Sequence, residues 1–409
     1  MELQLPKGMR DIHPEDKILR ETITKELTKI FEVYGFNPLE TPIVERFDVL
    51  SNKFGAGETS DAMRETFKLE DQGSRKLGLR FDLTVPLARY IAMNPNIKLP
   101  FKRYQIGEVF RDGPIKLGRY REFWQCDVDS VGSRNMLADA ELVKLALDVF
   151  KKLKLNAHIE INNRKLLESL MLNAGVKKSK MQDAVIIIDK LQKIGLEGVT
   201  AELSKIFDES TIEGIVTILK IEGTPQQIFD QLEPMIKGAD GREGIEELKK
   251  IFTYFNKKQK EMIKLNLSLA RGFRYYTGTI FEGFLNDSQV TSSICGGGRY
   301  DNMIADYAGS GEYPSVGISF GLDVIAEAIK IENPDQIKTK VKLYVIPIKT
   351  TKEVIQKATS ESIKIIDKLR KENLPVDMDI TSRAISKNLD YVDKLNIPYA
   401  LIIGKKESS

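Results

Sequence analysis

Histidine, cysteine and tryptophan are scarce here: the 409 residues include two His, two Cys and one Trp. Each shortage argues against a class of chemistry. Cys126 and Cys295 lie far apart with no CxxC spacing, which speaks against a disulfide framework and a structural zinc site. His13 sits beside Pro14 in a turn, and His158 lies in the strand-like "NAHIEINN", where a structural role is the simpler reading. A His-based hydrolase triad or a multi-histidine metal centre therefore has little support. No apolar run approaches the length of a membrane span, and "MELQLPKGMRDIHPEDK" lacks the apolar core of a signal peptide. A cytosolic, non-membrane location is expected. No GxxxxGK[ST] loop is present, so nucleotide binding of the P-loop kind is not indicated.

The chain is long enough for two or three domains, with 42% apolar residues to build cores and 30% charged residues to solvate them. The net charge of +3 is uninformative, but its distribution is uneven. From Lys338 onward fifteen Lys/Arg face nine Asp/Glu. That balance suits a polyanionic partner, and equally a lysine-rich solvated surface.

Apolar residues at helical spacing (Ile18, Leu19, Ile23, Leu27, Ile30, Phe31) predict a helix over Asp16–Tyr34. "RKLGLRFDLTVPLARYIAM" reads as a strand running into a helix near Pro86. "FKRYQIGEVFRD" and the segment from Gly118 to Val131 predict an antiparallel hairpin joined by "DGPIKL". "MLADAELVKLALDVFKKL" predicts an amphipathic helix followed by a strand at "NAHIEINN". Between about Arg164 and Lys264 lie short helices separated by glycines, with few chemically able side chains, which read as a helical insertion. Glycine-rich strands return at "LNLSLARGFRYYTGTIFEGF" and "TSSICGGGRYDNMI", and "SVGISFGLDVIAEAIK" reads as strand into helix. After the linker-like "IENPDQIKTK", a βαβαβ alternation predicts a separate three-layer α/β domain.

Alternation along a strand from Gly118 puts Arg119, Arg121, Phe123, Gln125, Asp127 and Asp129 on one face. Tyr120, Glu122, Trp124, Cys126 and Val128 take the other. A face cationic at one end and anionic at the other suits a ligand with the reverse arrangement, such as nucleotide phosphates beside an ammonium group.

These segments resemble the class II aminoacyl-tRNA synthetases, and the histidyl-tRNA synthetase family in particular. "PKGMRDIHPED" is similar to that family's opening segment, and "ETPIVE" to its dimer-forming first motif. "LRFDLTVPLARYIA" and "FKRYQIGEVFRDGPIKLGRYREFWQCDVDSVG" resemble the strand and second-motif hairpin of the archaeal and eukaryotic branch. "LARGFRYYTGTIFE" and "SICGGGRYDNMI" resemble the two histidine-specific signatures. The resemblance implies an α+β catalytic domain built on an antiparallel sheet (1–163 and 265–332). It also implies a helical insertion (164–264) and a C-terminal anticodon-binding α/β domain (338–409).

It further implies ATP-dependent activation of L-histidine, with Mg²⁺ bridging the phosphates, then transfer to tRNA(His) by a cytoplasmic homodimer. By the same resemblance Arg111 and Arg271 hold the α-phosphate, and Arg119 and Arg121 reach the outer phosphates. A guanidinium suits this work because it stays charged and offers a planar fork of donors. The alternative for an arginine in such a strand, strongest for Arg119, is a surface ion pair. Gln125 and Asp129 contact the substrate histidine, and Asp82, Leu83 and Thr84 its amino group. Tyr275 and Tyr276 line the imidazole pocket, and Tyr300 closes it. Asp82 and Thr84 are also placed to cap the helix entered at Pro86. If the tyrosines lay in a regular strand, Arg271 and Tyr276 would face opposite ways, so a bulge or loop is required, which Gly272 permits.

Three features depart from the family pattern. Val324 follows Asp323 where the third motif carries an arginine that packs on the nucleotide. Arg274 stands where an aspartate is usual, and is expected to restore part of that positive charge. The chain also stops at Ser409, earlier than the family's anticodon-binding domain usually ends. Two competing readings follow: a histidine-sensing regulatory subunit of ATP phosphoribosyltransferase, and an inactive synthetase-like RNA-binding protein.

Overall fold

The computed structural model describes residues 3–52, 64–115, 120–270, 275–333, 337–348 and 352–404. Two compact units result: Met1–Arg10 with Ile23–Ile329, and Asp11–Thr22 with Lys330–Ser409.

The first unit is organised by a long sheet. Its strands are β1 (Asn37–Pro38), β5 (Phe101–Phe110), β6 (Glu122–Val131), β7 (Ala157–Asn163), β8 (Ile263–Leu265), β9 (Thr279–Leu285), β10 (Cys295–Arg299) and β11 (Ser315–Gly321). Among the described residues they form eight strands in the order β1-β5-β6-β11-β10-β9-β7-β8. The six central strands pair antiparallel, as expected, and the flanking β1 and β8 pair parallel. A separate small antiparallel sheet, β2 (Val44–Arg46), β4 (Lys76–Leu79) and β3 (Lys68–Glu70), lies beside it in sequence.

Register decides which side of the long sheet is packed and which is open. On β6, Cys126 and Val128 are wholly buried and share a face with Phe320 and Ile318 of β11. The amphipathic helix Met136–Leu153 packs on the sheet, with Leu142, Leu145, Ala146, Val149 and Phe150 fully or nearly fully buried. Its start is fixed by Asn135, whose side chain accepts from the Leu137 N–H at 2.9 Å. On the opposite face Gln125, Asp127 and Asp129 stand across from Gly321, Ser319 and Gly317 of β11. The next strand, β10, presents Gly296 and Gly298 to the same side. Small residues at every second position of two central strands leave room above the sheet that ordinary side chains would fill.

The helices Arg164–Asn173 through Lys257–Glu261 bear out the expected helical character of that stretch. Ala239–Thr253 packs against Arg164–Asn173 and against Met136–Leu153. In the second unit, three parallel strands lie in the order β13 (Val376–Met378), β12 (Leu343–Pro347), β14 (Tyr399–Ile403). Alternation along β12 sends Val345 into a core with Ala358 and Ile366 of the helix Lys352–Lys371. Tyr344 and Ile346 go to a second core with Tyr391 and Val392 of the helix Ile385–Lys394. One helix on each face gives the three layers that the sequence predicts.

Candidate active site

Above the open face lies a cavity of about 600 Å³. Arg111, Asp82, Thr84, Gln125, Asp129, Tyr275, Tyr276 and Tyr300 all line it, so most of the residues singled out from sequence converge. Arg119, Arg271 and Arg274 lie outside the described residues.

The row Phe123, Gln125, Asp127, Asp129 spans roughly 20 Å along β6, which gives the cavity two ends. At the Asp129 end the walls are dry. Asp129 is 3% exposed; its Oδ2 lies 2.8 Å from Nη2 of Arg103, its cross-strand partner on β5, and its Oδ1 accepts from the Tyr300 hydroxyl. Arg103 has no exposed surface and also donates to the Leu83 carbonyl at 3.0 Å. Burial and the adjacent Asp129 carboxylate hold the Tyr300 phenol well above its ordinary range, so it remains a donor. Tyr276 is likewise raised, first by burial and then by Tyr275, whose ring centroid is 4.3 Å away. Gly317 makes this packing possible: a Cβ there would stand 1.9 Å from Asp129 Oδ1. Gly298 serves the same purpose for Tyr276, whose ring would meet a Cβ at 2.9 Å.

Asp82 both holds the start of a helix and lines the cavity. Its Oδ1 accepts from the N–H groups of Thr84 and Val85 at 3.1 and 2.9 Å, capping the helix Thr84–Met93, while the residue lines the cavity. Leu83 is buried and is not part of the lining; its carbonyl anchors Arg103. The tyrosine pair belongs to no strand. β9 begins only at Thr279, so Tyr275 and Tyr276 sit in the preceding turn and both face the cavity. The alternation conflict dissolves because the expected strand begins later.

The Phe123 end is more open. Arg111 follows the last residue of β5 and donates from Nε to the Phe81 carbonyl at 3.2 Å. Its guanidinium stacks 4.2 Å from the Phe81 ring centroid and 5.0 Å from that of Phe123, which fixes its plane. One expectation is corrected here. β6 starts at Glu122 rather than near Gly118, so the predicted alternation fails before that point. Tyr120 lines the cavity, and Arg121 does not. The backbone explains why. Arg121 donates its N–H to the Gly8 carbonyl at 2.9 Å and accepts from the Arg111 N–H at 2.8 Å. Its guanidinium pairs with Asp112 at 2.6 Å.

Sequence reasoning missed three residues. Arg103 was hidden because its face depends on the hairpin register. Asp127 was on the right face but was given no role. Arg10 lies far off in sequence, yet its guanidinium is 3.5 Å above the Tyr120 ring and pairs with Asp323. Asp323 Oδ2 in turn accepts from the Trp124 N–H at 3.0 Å. Gly8, at φ +82°, lies under the Arg121 side chain, where a Cβ would come within 2.7 Å. The segment Gly8–Arg10 is thus a clasp across the wall beside Val324, which itself lines the cavity.

The histidyl-tRNA synthetase family model matches residues 8–325, and an anticodon-binding domain model matches 342–409. Histidine–tRNA ligase 1 of Bacillus cereus is 40% identical over all of this chain and 94% of its own length. A crystal structure of histidyl-tRNA synthetase from Nostoc sp. PCC 7120 is 30% identical and superposes with a TM-score of 0.82, covering 97% of this chain and 90% of that one. A structure from Bacillus halodurans, described as an ATP phosphoribosyltransferase regulatory subunit/histidyl-tRNA synthetase, shares the fold at 20% identity and a TM-score of 0.80, over 98% of both chains. With both domains matched and the sheet, cavity and hairpin in place, the chain belongs to the histidyl-tRNA synthetase family.

Proposed function

We infer that the protein is a histidine–tRNA ligase, which joins L-histidine to ATP and passes the histidyl group to tRNA(His). The observation that carries this reading is the single cavity shared by Arg111 at one end and by Gln125, Asp129 and Tyr300 at the other. In the first step a carboxylate oxygen of histidine attacks the α-phosphorus, and the bond to pyrophosphate breaks. Negative charge spreads over the phosphoryl oxygens as this happens. The Arg111 guanidinium, held in plane by Phe81 and Phe123, meets that charge without reorganising. In the second step a hydroxyl of the terminal ribose attacks the acyl carbon and AMP departs. Arg271 and Arg119 are proposed to assist at the phosphates; Arg121, held by Asp112 at the hairpin, is proposed to swing toward the outer ones.

Among the described residues no cluster of three or more His, Cys, Asp or Glu is arranged to hold a metal. Glu65 in the cavity wall is a hard oxygen donor, so Mg²⁺ fits as an ion carried mainly by the phosphates of ATP and steadied by a single carboxylate. The residues 342–409 are proposed to read the anticodon, and the helices of 164–264 to form an insertion that touches the RNA. Phosphate contacts would make that binding weaken with salt. Among the described residues no helix is long and apolar enough to cross a membrane. We place the enzyme in the cytoplasm as a homodimer, with exposed Ile43 and Val44 of the first-motif segment at the interface.

Histidine-dependent exchange of labelled pyrophosphate into ATP, followed by charging of tRNA(His), tests the assignment. Val324 in the cavity wall, where the family pattern calls for an arginine, favours one second reading, the histidine-sensing regulatory subunit. Histidine binding without exchange would support that reading and refute the ligase.

A further inference from the structure

We propose that Arg164, the first residue of the helical insertion, is a positioning residue for the amino-acid pocket. It grips the turn that carries Tyr276, and so sets the affinity for histidine without touching it. This rests on the reading of the cavity as a histidine site.

The placement follows from strand register. β7 ends at Asn163, which stands opposite Thr279, the first residue of β9. The chain leaving β7 for the helix Arg164–Asn173 therefore passes beside the chain that enters β9 from Tyr275 and Tyr276. Arg164 bridges the two with backbone and side chain together. Its N–H donates to the Gly278 carbonyl at 2.8 Å, and its Nη1 to the Tyr276 carbonyl at 2.6 Å. A charged donor makes the second of these the stronger kind of bond. From the other side, Thr277 donates its N–H to the Arg299 carbonyl at 2.7 Å, and its hydroxyl accepts from the Asp301 N–H at 3.1 Å. The Tyr276 ring packs over Gly298, where a Cβ would come within 2.9 Å, so a shifted backbone would have to move the ring.

Two observations set Arg164 apart from an ordinary surface arginine. A cation in the first turn of a helix opposes the helix dipole, so Arg164 does not serve the helix that it begins. That start is already secured by the fully buried Asn163, whose side chain accepts from the Lys165 N–H at 2.9 Å. Its helical neighbour Glu168 lies 3.9 Å away, a much looser contact than the bond to Tyr276. Tyr275 and Tyr276 line the cavity and Arg164 does not, so any effect of Arg164 on the ligand passes through the turn. The support continues into the insertion. Glu247 of the helix Ala239–Thr253 accepts from Asn163 Nδ2 and from Lys165 Nζ, each at 2.7 Å, on either side of Arg164. Two helices of the insertion thus converge on the residue that grips the tyrosine turn.

The test compares Arg164→Met, which keeps the apolar stem and loses the donor, with Arg164→Lys, which restores a charged donor. Histidine affinity is read by calorimetry on the full chain, and KM for ATP by pyrophosphate exchange. Arg164→Met should weaken histidine binding about tenfold, with KM for ATP unchanged and the melting temperature not lowered. Arg164→Lys should bind histidine within about threefold of wild type. In a Tyr276→Ala background, Arg164→Met should change histidine affinity by less than about twofold, because the two residues act through one ring. Wild-type affinity in Arg164→Met overturns the proposal. So does a parallel rise in KM for ATP, a loss of folding, or a full tenfold loss added to that of Tyr276→Ala. A wild type that binds histidine without exchange refutes the ligase reading, and calorimetry still decides the role of Arg164. A wild type that does not bind histidine refutes the reading of the cavity, and this proposal with it.

Discussion

The two ends of the cavity are built on different principles. At the Asp129 end, Asp127, Asp129, Tyr300 and Arg103 are buried, and Asp129 is held between the Arg103 guanidinium and the Tyr300 hydroxyl. At the Phe123 end, Arg111, Tyr120, Glu65 and Val324 are partly exposed, and their geometry depends on ring stacking and a segment from the N-terminus. A small zwitterion that must be told apart from others of its kind needs the first sort of wall. There an unmatched polar group carries its full desolvation penalty. A nucleotide that enters and leaves as pyrophosphate and AMP suits the second, where charge matters more than fit.

That contrast can be broken from either side. The largest effect is expected for Arg111→Ala, which should lower histidine-dependent pyrophosphate exchange by at least about 1,000-fold while leaving the melting temperature unchanged. A large loss of stability would instead mean that Arg111 is a structural arginine. Arg103→Met should do the reverse. It leaves Asp129 uncompensated in a dry site, and should cost about 3–5 kcal/mol in urea unfolding and raise KM for histidine more than for ATP. A neutral outcome would show that Asp129 simply takes up a proton.

Asp127 yields a prediction of opposite sign. Its carboxyl is raised in the folded state, so the native protein binds more protons than the unfolded chain between about pH 4 and 7. Stability is therefore lost as pH climbs through that window. Asp127→Asn should raise the melting temperature of the ligand-free protein above pH 7 and have little effect near pH 4. The smallest effect is expected at the clasp. Arg10→Ala should raise KM for ATP by about three- to tenfold, with KM for histidine unchanged. Arg10→Lys should not restore it, because an ammonium cannot stack flat on Tyr120 while pairing with Asp323. An equal rise in both constants would mean that the clasp supports the sheet as a whole.

How much of this was legible in the sequence follows the same division. Alternation placed Gln125, Asp127 and Asp129 on one face correctly, since a strand's two-residue period is local. The C-terminal layers were legible for the same reason. Arg103 was not, because it meets Asp129 only through the hairpin register, which the connecting loop sets and the strand pattern does not. Tyr120 was misassigned because its segment is pinned by Gly8 and Arg111, so the strand begins at Glu122, four residues after Gly118. The helix-start contact of Asp82 was legible beside its place in the cavity, because one carboxylate has oxygens enough for both.

The central claim is the polarity of the cavity, and a crystal structure of the complex with L-histidine and a non-hydrolysable ATP analogue tests it most directly. The account predicts the imidazole beside Asp129 and Tyr300 and the carboxylate directed toward Arg111 and the α-phosphate. Histidine bound the other way round, or a nucleotide lying against Asp129 and Tyr300, would contradict it.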